Sequence, residues 1–167
     1  GYINDLILIR KQMKDLGVQA PVVTMIAGPA YQEFIDAAGP LAENISSASW
    51  WHPAVRYKGT DVFGSTEDFN KAWAAKFKSE PDYAQASAAA AGAVLQIAIE
   101  KAGTIEPAKV RDSLAGLDVV TFYGRIKFGP TGQVTSLEPP VFQIQGGKPM
   151  VIVPDVIKQA DIKFGVN

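Results

Sequence analysis

His52 is the one histidine among 167 residues, and there is no cysteine. A zinc or iron centre needs several imidazoles, thiolates or carboxylates converging on one point, so a metal has almost nothing to bind. The lack of cysteine also removes disulfides and thiol nucleophiles. Serine chemistry fares little better: there is no G-x-S-x-G turn, and a Ser-His-Asp relay would have to run through His52. Gly28-Pro29 and the run from Gly129 to Gly132 are glycine-bearing turns, but neither has the spacing of a phosphate cradle. Asp36 with Glu33, and Glu67 with Asp68, fall near predicted helix starts, where negative charge complements the helix dipole better than it serves glycosidase chemistry. The expectation is therefore no catalytic residue, no metal and no cofactor. A small α/β hydrolase using His52 as its base is the weakest alternative.

Trp50-Trp51-His52 is the sharper feature. Neighbouring side chains of an extended segment point to opposite sides, so the two indoles cannot enter the same core and one should face a cleft or the surface. Two readings stay open: one indole in the core with the other covering a crossing, or an indole turned to a small-molecule ligand. Tyr2, Tyr31, Tyr57 and Tyr83 also fall at element ends, where α/β folds bind ligands.

The elements that would position these residues follow from periodicity. Leu6, Ile9, Met13 and Leu16 recur at helical spacing over residues 4–16, with Asn4 or Asp5 to cap the start and Gly17 to end the helix. A short buried strand is expected over 21–26, a helix over 31–38 stopped by Gly39-Pro40, and a strand over 45–51. That order of helix, strand, helix, strand suits a parallel α/β sheet. Ser65 with Asp68 forms a capping-box pattern opening a helix in which Phe69, Trp73 and Phe77 are expected in the core. An Ala-rich helix spans about 83–101 before Gly103, and a further helix 107–114 has Pro107 in its first turn. Residues 121–133 read as a strand running into a Gly-Pro-x-Gly turn, and Gly146-Gly147 signals a hairpin joining 140–145 to 150–153.

With 16 Lys and Arg against 17 Asp and Glu, there is no basic surplus for phosphates, so nucleic acid is not expected as a partner. The apolar content of 47% is enough for a real core, and no run approaches the roughly 20 apolar residues of a membrane span. The first residues lack the basic stretch of a signal peptide and enter a helix at once, which reads as the middle of a longer polypeptide.

Phe122-x-Gly124-x-x-x-Phe128-x-x-x-Gly132, within residues 121–133, resembles a motif near the C-terminus of periplasmic solute-binding proteins of the branched-chain amino acid (Leu/Ile/Val-binding) ABC transporter family. Further pieces appear in the order that family shows. They are Gly1-Tyr2 before a helix closing on Asp15-Leu16-Gly17, then Ala37-Ala38-Gly39 followed by Ala42-Glu43-Asn44-Ile45, then Tyr83 leading into the long helix that ends at Gly103. The chain is similar to the C-terminal half of such receptors.

The resemblance implies an α/β fold, part of a two-lobe type I periplasmic binding protein, with parallel sheets flanked by helices and a C-terminal β-hairpin. On that template 1–52 is a second-lobe segment, 53–140 a first-lobe segment with the crossings, and 141–167 a return to the second lobe. Hinge closure would trap a small carboxylate or amino acid for delivery to a membrane ABC permease, in the periplasm, with any signal peptide outside this chain. A ligand-sensing domain of a signalling receptor is the alternative. Tyr2 matches an aromatic of the family's cleft. Ala27 and Gly28 fall in the loop where amino-acid-binding members place an acid to pair with the ligand ammonium. An ammonium buried without that partner is costly, which favours an aromatic or aliphatic carboxylate unless Glu33 substitutes. Trp51, Tyr83 and Gln85 complete the implied ligand-binding set. A half-receptor would also expose an apolar face that invites dimerisation.

Overall fold

Leu6, Arg10 and Met13 lie along the inner face of helix α1 (Ile3–Asp15), and Gly17 at φ +64 turns the chain out of it. Asp5 in the first turn accepts the Tyr2 N–H at 2.9 Å, satisfying one of the amides a helix start leaves open. The Arg10 guanidinium is enclosed, its Nε donating to the Leu41 carbonyl at 2.9 Å, and burial holds its pKa below the ordinary arginine value. This computed structural model describes residues 2–166, so Gly1 of the Gly1-Tyr2 segment lies outside the described residues.

The chain divides into two units, Gly1–Trp50 with Pro139–Asn167, and Trp51–Glu138. The first unit continues through β1 (Val23–Thr24), a 3₁₀ turn, α2 (Gln32–Ala38), a second 3₁₀ turn and β2 (Ile45–Ala48). β1 is shorter than its apolar run, because Pro21 has no N–H to give and the Gly28 amide already folds back on the Ile26 carbonyl at 3.1 Å. After β3 (Asp118–Thr121) and β4 (Gly124–Lys127) of the second unit, β5 (Val141–Gln145) and β6 (Lys148–Val153) return to complete a sheet of order β1-β2-β5-β6. β1 and β2 are parallel, with Val23 opposite Ile45, whereas β2–β5 and β5–β6 are antiparallel. The β5–β6 hairpin turns at Gly146 (φ +60) and Gly147 (φ +73), the doubly positive geometry of a type I′ turn that other residues resist.

Phe34, Ile35, Ile45, Phe142 and Ile144 form the core of this unit, joined by Leu6 and Met25. Gln143 is fully enclosed beside it without penalty: its amide donates to the Asn44 and Lys163 carbonyls, and its oxygen accepts the Lys163 N–H at 2.8 Å. With Gln145, which donates to the Asp161 carbonyl, it helps hold the C-terminal segment to the sheet.

In the second unit α3 (Thr66–Phe77) starts at Ser65, whose Oγ accepts the Asp68 N–H at 3.1 Å. α4 (Tyr83–Ala102) starts at Asp82, whose carboxylate accepts the Ala84 and Gln85 N–H groups, and ends on Gly103 at φ +66. α5 (Pro107–Ala115) precedes a hairpin of β3 (Asp118–Thr121) and β4 (Gly124–Lys127). Residues 121–133 thus contain a turn at Phe122-Tyr123 before the second strand, where a single strand is expected from the sequence. Thr121 makes the turn: its Oγ1 accepts the Tyr123 N–H and donates to the Gly124 carbonyl. Phe69 lies at the centre of an aromatic core with Trp51, Phe63 and Phe122. Phe77, expected there too, is 51% exposed and packs instead on Trp73 near the end of α3. On α4, Ala86, Ala90, Val94 and Ala98 are buried, while Ala88, Ala91 and Leu95 face solvent, so a helix apolar all round has one face uncovered.

Candidate functional site

Because β1 and β2 run parallel, their C-terminal ends emerge at one edge of the first unit, the edge where open α/β sheets bind ligands. Ile26 leaves β1 there and Trp50 leaves β2; they are 65% and 60% exposed. The start of α1 reaches the same edge. A Cβ on Gly28 would stand 2.5 Å from Leu6 Cδ1, and Leu6 donates its N–H to the Tyr2 carbonyl at 3.1 Å, so Tyr2 stands one turn beyond the Leu6–Gly28 contact. Tyr2 is 86% exposed.

Between these side chains the backbone takes an unusual path. Ala27 has φ 74 and ψ −64, and the Gly28 N–H closes on the Ile26 carbonyl at 3.1 Å. That is a γ-turn in the mirror-image region that L residues avoid. An alanine held there costs on the order of 1–3 kcal/mol, and strain of this kind concentrates at ligand clamps. Gly28 itself is buried, and its missing side chain lets the turn settle on Leu6 and Phe34.

The other residues singled out in the sequence sit elsewhere. Trp51 is enclosed in the second unit, edge-on to Phe69 and stacked with Tyr123, so the exposed indole of the pair is Trp50. Tyr83 is the first residue of α4; its carbonyl accepts from Ser87 Oγ, which in turn contacts the Tyr123 hydroxyl at 2.8 Å. Burial pushes the Tyr123 phenol up, and the Ser87 contact works against that. Gln85 caps its own helix, its Oε1 accepting the Asp82 N–H at 3.0 Å. His52 is buried and its Nδ1 accepts the Ala54 N–H, the work of a residue shaping the turn at Pro53. Of the residues singled out in the sequence, Tyr2, Ala27 and Gly28 fall near this edge together with Ile26 and Trp50, whereas Trp51, Tyr83 and Gln85 belong to the second unit. The one available signal was adjacency, which says that the indoles diverge without saying which enters a core.

The family model described as periplasmic binding protein matches residues 1–148, and the chain belongs to that family. Among solved structures it is similar to a leucine-binding protein of Thermotoga maritima, at 22% identity and a TM-score of 0.78, covering 90% of this chain and 41% of that one. It is also similar to a branched-chain amino acid transporter substrate-binding protein of Streptococcus pneumoniae solved with isoleucine (22%, TM-score 0.74, 92% and 43% covered). A third is a solute-binding protein of R. palustris solved with benzoate (15%, TM-score 0.59, 86% and 45% covered). The chain spans less than half the length of these relatives, and they share its type I periplasmic binding fold.

Proposed function

We propose that this chain is the C-terminal half of an extracytoplasmic solute receptor that binds a small organic acid and passes it to an ABC permease. Unit Gly1–Trp50 with Pro139–Asn167 is the second lobe, and Trp51–Glu138 belongs to the first. The observation that carries this reading is the strained Ala27 turn at the open sheet edge beside Tyr2, in a chain of the periplasmic binding protein family.

An alanine at position 27 offers an amino acid's ammonium no counter-charge, and Asp5, the acid nearest Tyr2 in the chain, accepts the Tyr2 N–H. A carboxylate without an ammonium avoids that uncompensated charge, so it is the preferred ligand class. Glu33, in the first turn of α2, is the residue through which an amino acid would be accommodated.

Calorimetric titration of the full-length natural protein with amino acids and with aromatic and aliphatic carboxylates tests the reading. Saturable binding of one class, weakened by Tyr2→Ala, is expected. At a ligand concentration 100 times Kd, binding should add about 2.7 kcal/mol of stability. A flat titration across the whole library refutes the proposal.

A further inference from the structure

Trp50 is a large aromatic side chain left 60% in water on an anchored backbone. The residue before it, Ser49, is buried and donates its N–H to the Pro140 carbonyl at 3.1 Å, so the end of β2 is tied to the returning chain. The anchored backbone fixes where the indole leaves the strand end, so little backbone freedom there is left for binding to remove. β1 and β2 run parallel with Thr24 opposite Ser46, so Ile26 and Trp50, each two residues past the end of its strand, leave the sheet at the same end. Tyr2, Ile26 and Trp50 therefore give this edge two aromatic faces and one branched aliphatic surface, around a turn at Ala27 that brings no charge.

We infer that Trp50 is the selectivity residue of the solute site, its exposed indole stacking on a planar ring so that the receptor prefers an aryl carboxylate to an alicyclic or aliphatic acid. The inference rests on the solute-receptor reading above and adds to it the class of ring and the residue that reads it. Offset or edge-on ring contacts strengthen binding beyond simple area burial, and an aliphatic ring of the same size gains only the area. Trp51, one residue on, cannot take this role because it is closed within its own aromatic core.

The test is calorimetry on the full-length natural protein with benzoate, cyclohexanecarboxylate and leucine. Benzoate should bind more tightly than cyclohexanecarboxylate by about 3- to 10-fold, the range that ring stacking supplies. Trp50→Ala should erase that preference by weakening benzoate more than cyclohexanecarboxylate, which loses only the area it buries on the indole; Trp50→Phe should keep most of it. Benzoate should quench tryptophan emission in the wild type and not in Trp50→Phe, which retains Trp51 and Trp73. Loss of both acids to the same extent in Trp50→Ala, or of neither, overturns the inference. So does tightest binding of leucine with loss in Glu33→Gln. If binding responds to Tyr2→Ala but not to Trp50→Ala, the receptor reading stands and the role of Trp50 falls. If no probe or library compound binds, the receptor reading itself fails.

Discussion

Replacing Ala27 by glycine should make the protein more stable and a poorer binder. At φ 74 and ψ −64 the alanine carries a backbone cost of about 1–3 kcal/mol that glycine does not. Glycine in turn loses more chain entropy on folding, about 0.4–1 kcal/mol. The difference favours Ala27→Gly by about 1 kcal/mol. Urea unfolding of the full-length protein should show a higher midpoint at unchanged slope, and titration with its ligand a lower affinity, because the turn is no longer confined to one path. Lys78→Gly is the control: Lys78 sits at φ 60 and ψ 27 at the end of α3, an ordinary left-handed cap where glycine is the commonest residue. It should gain stability with no change in binding. A lower midpoint for Ala27→Gly, or an unchanged one while Lys78→Gly rises, would show that the turn stores no strain and would remove the main structural support for the site.

Gly59→Ala should destabilise the second unit by about 3 kcal/mol or more, since its Cβ would stand 2.5 Å from Thr121 Cα and from the Val120 carbonyl, backbone atoms that cannot swing aside; denaturant unfolding measures it. The Asp118 carboxylate is held well below its ordinary range by hydrogen bonds from Arg125 and Lys127. Its folded-state pKa is depressed, so its contribution is present above the unfolded carboxylate pKa and is lost as pH falls through the folded one. Asp118→Asn should therefore lower stability near neutrality, with the gap to wild type closing only below about pH 4 and shrinking in salt. Produced alone, the 167-residue chain should self-associate through the uncovered face of α4, and Leu95→Lys, at a position 47% exposed, should shift sedimentation toward monomer. A monomeric wild-type chain would refute that.

Local chemistry made much of this protein legible before any coordinates. Ser65 and Asp82 start helices, Gly103 and Gly116 end them, and Gly146-Gly147 turns a hairpin, because each of these acts through bonds or torsions within a few residues. The order of such pieces was also enough to indicate the family. The amino-acid sequence by itself thus determined the helices and the β5–β6 hairpin, though not the β3–β4 hairpin, and the α/β class, with Tyr2 and the loop at Ala27 and Gly28 as candidates. Tertiary structure decided the rest. Trp50 and Trp51 are chemically the same residue, and only the packing of Phe69 and Tyr123 around one of them leaves the other in solvent. Phe77 keeps the helical spacing of a core residue, yet α3 is covered only near its start. Nothing in an alanine announces a positive φ; Ala27 takes one because the Gly28 contact with Leu6 and the Ile26–Gly28 hydrogen bond fix both sides of the turn. Such features depend on what long-range packing surrounds a residue, and residue type alone does not carry that information.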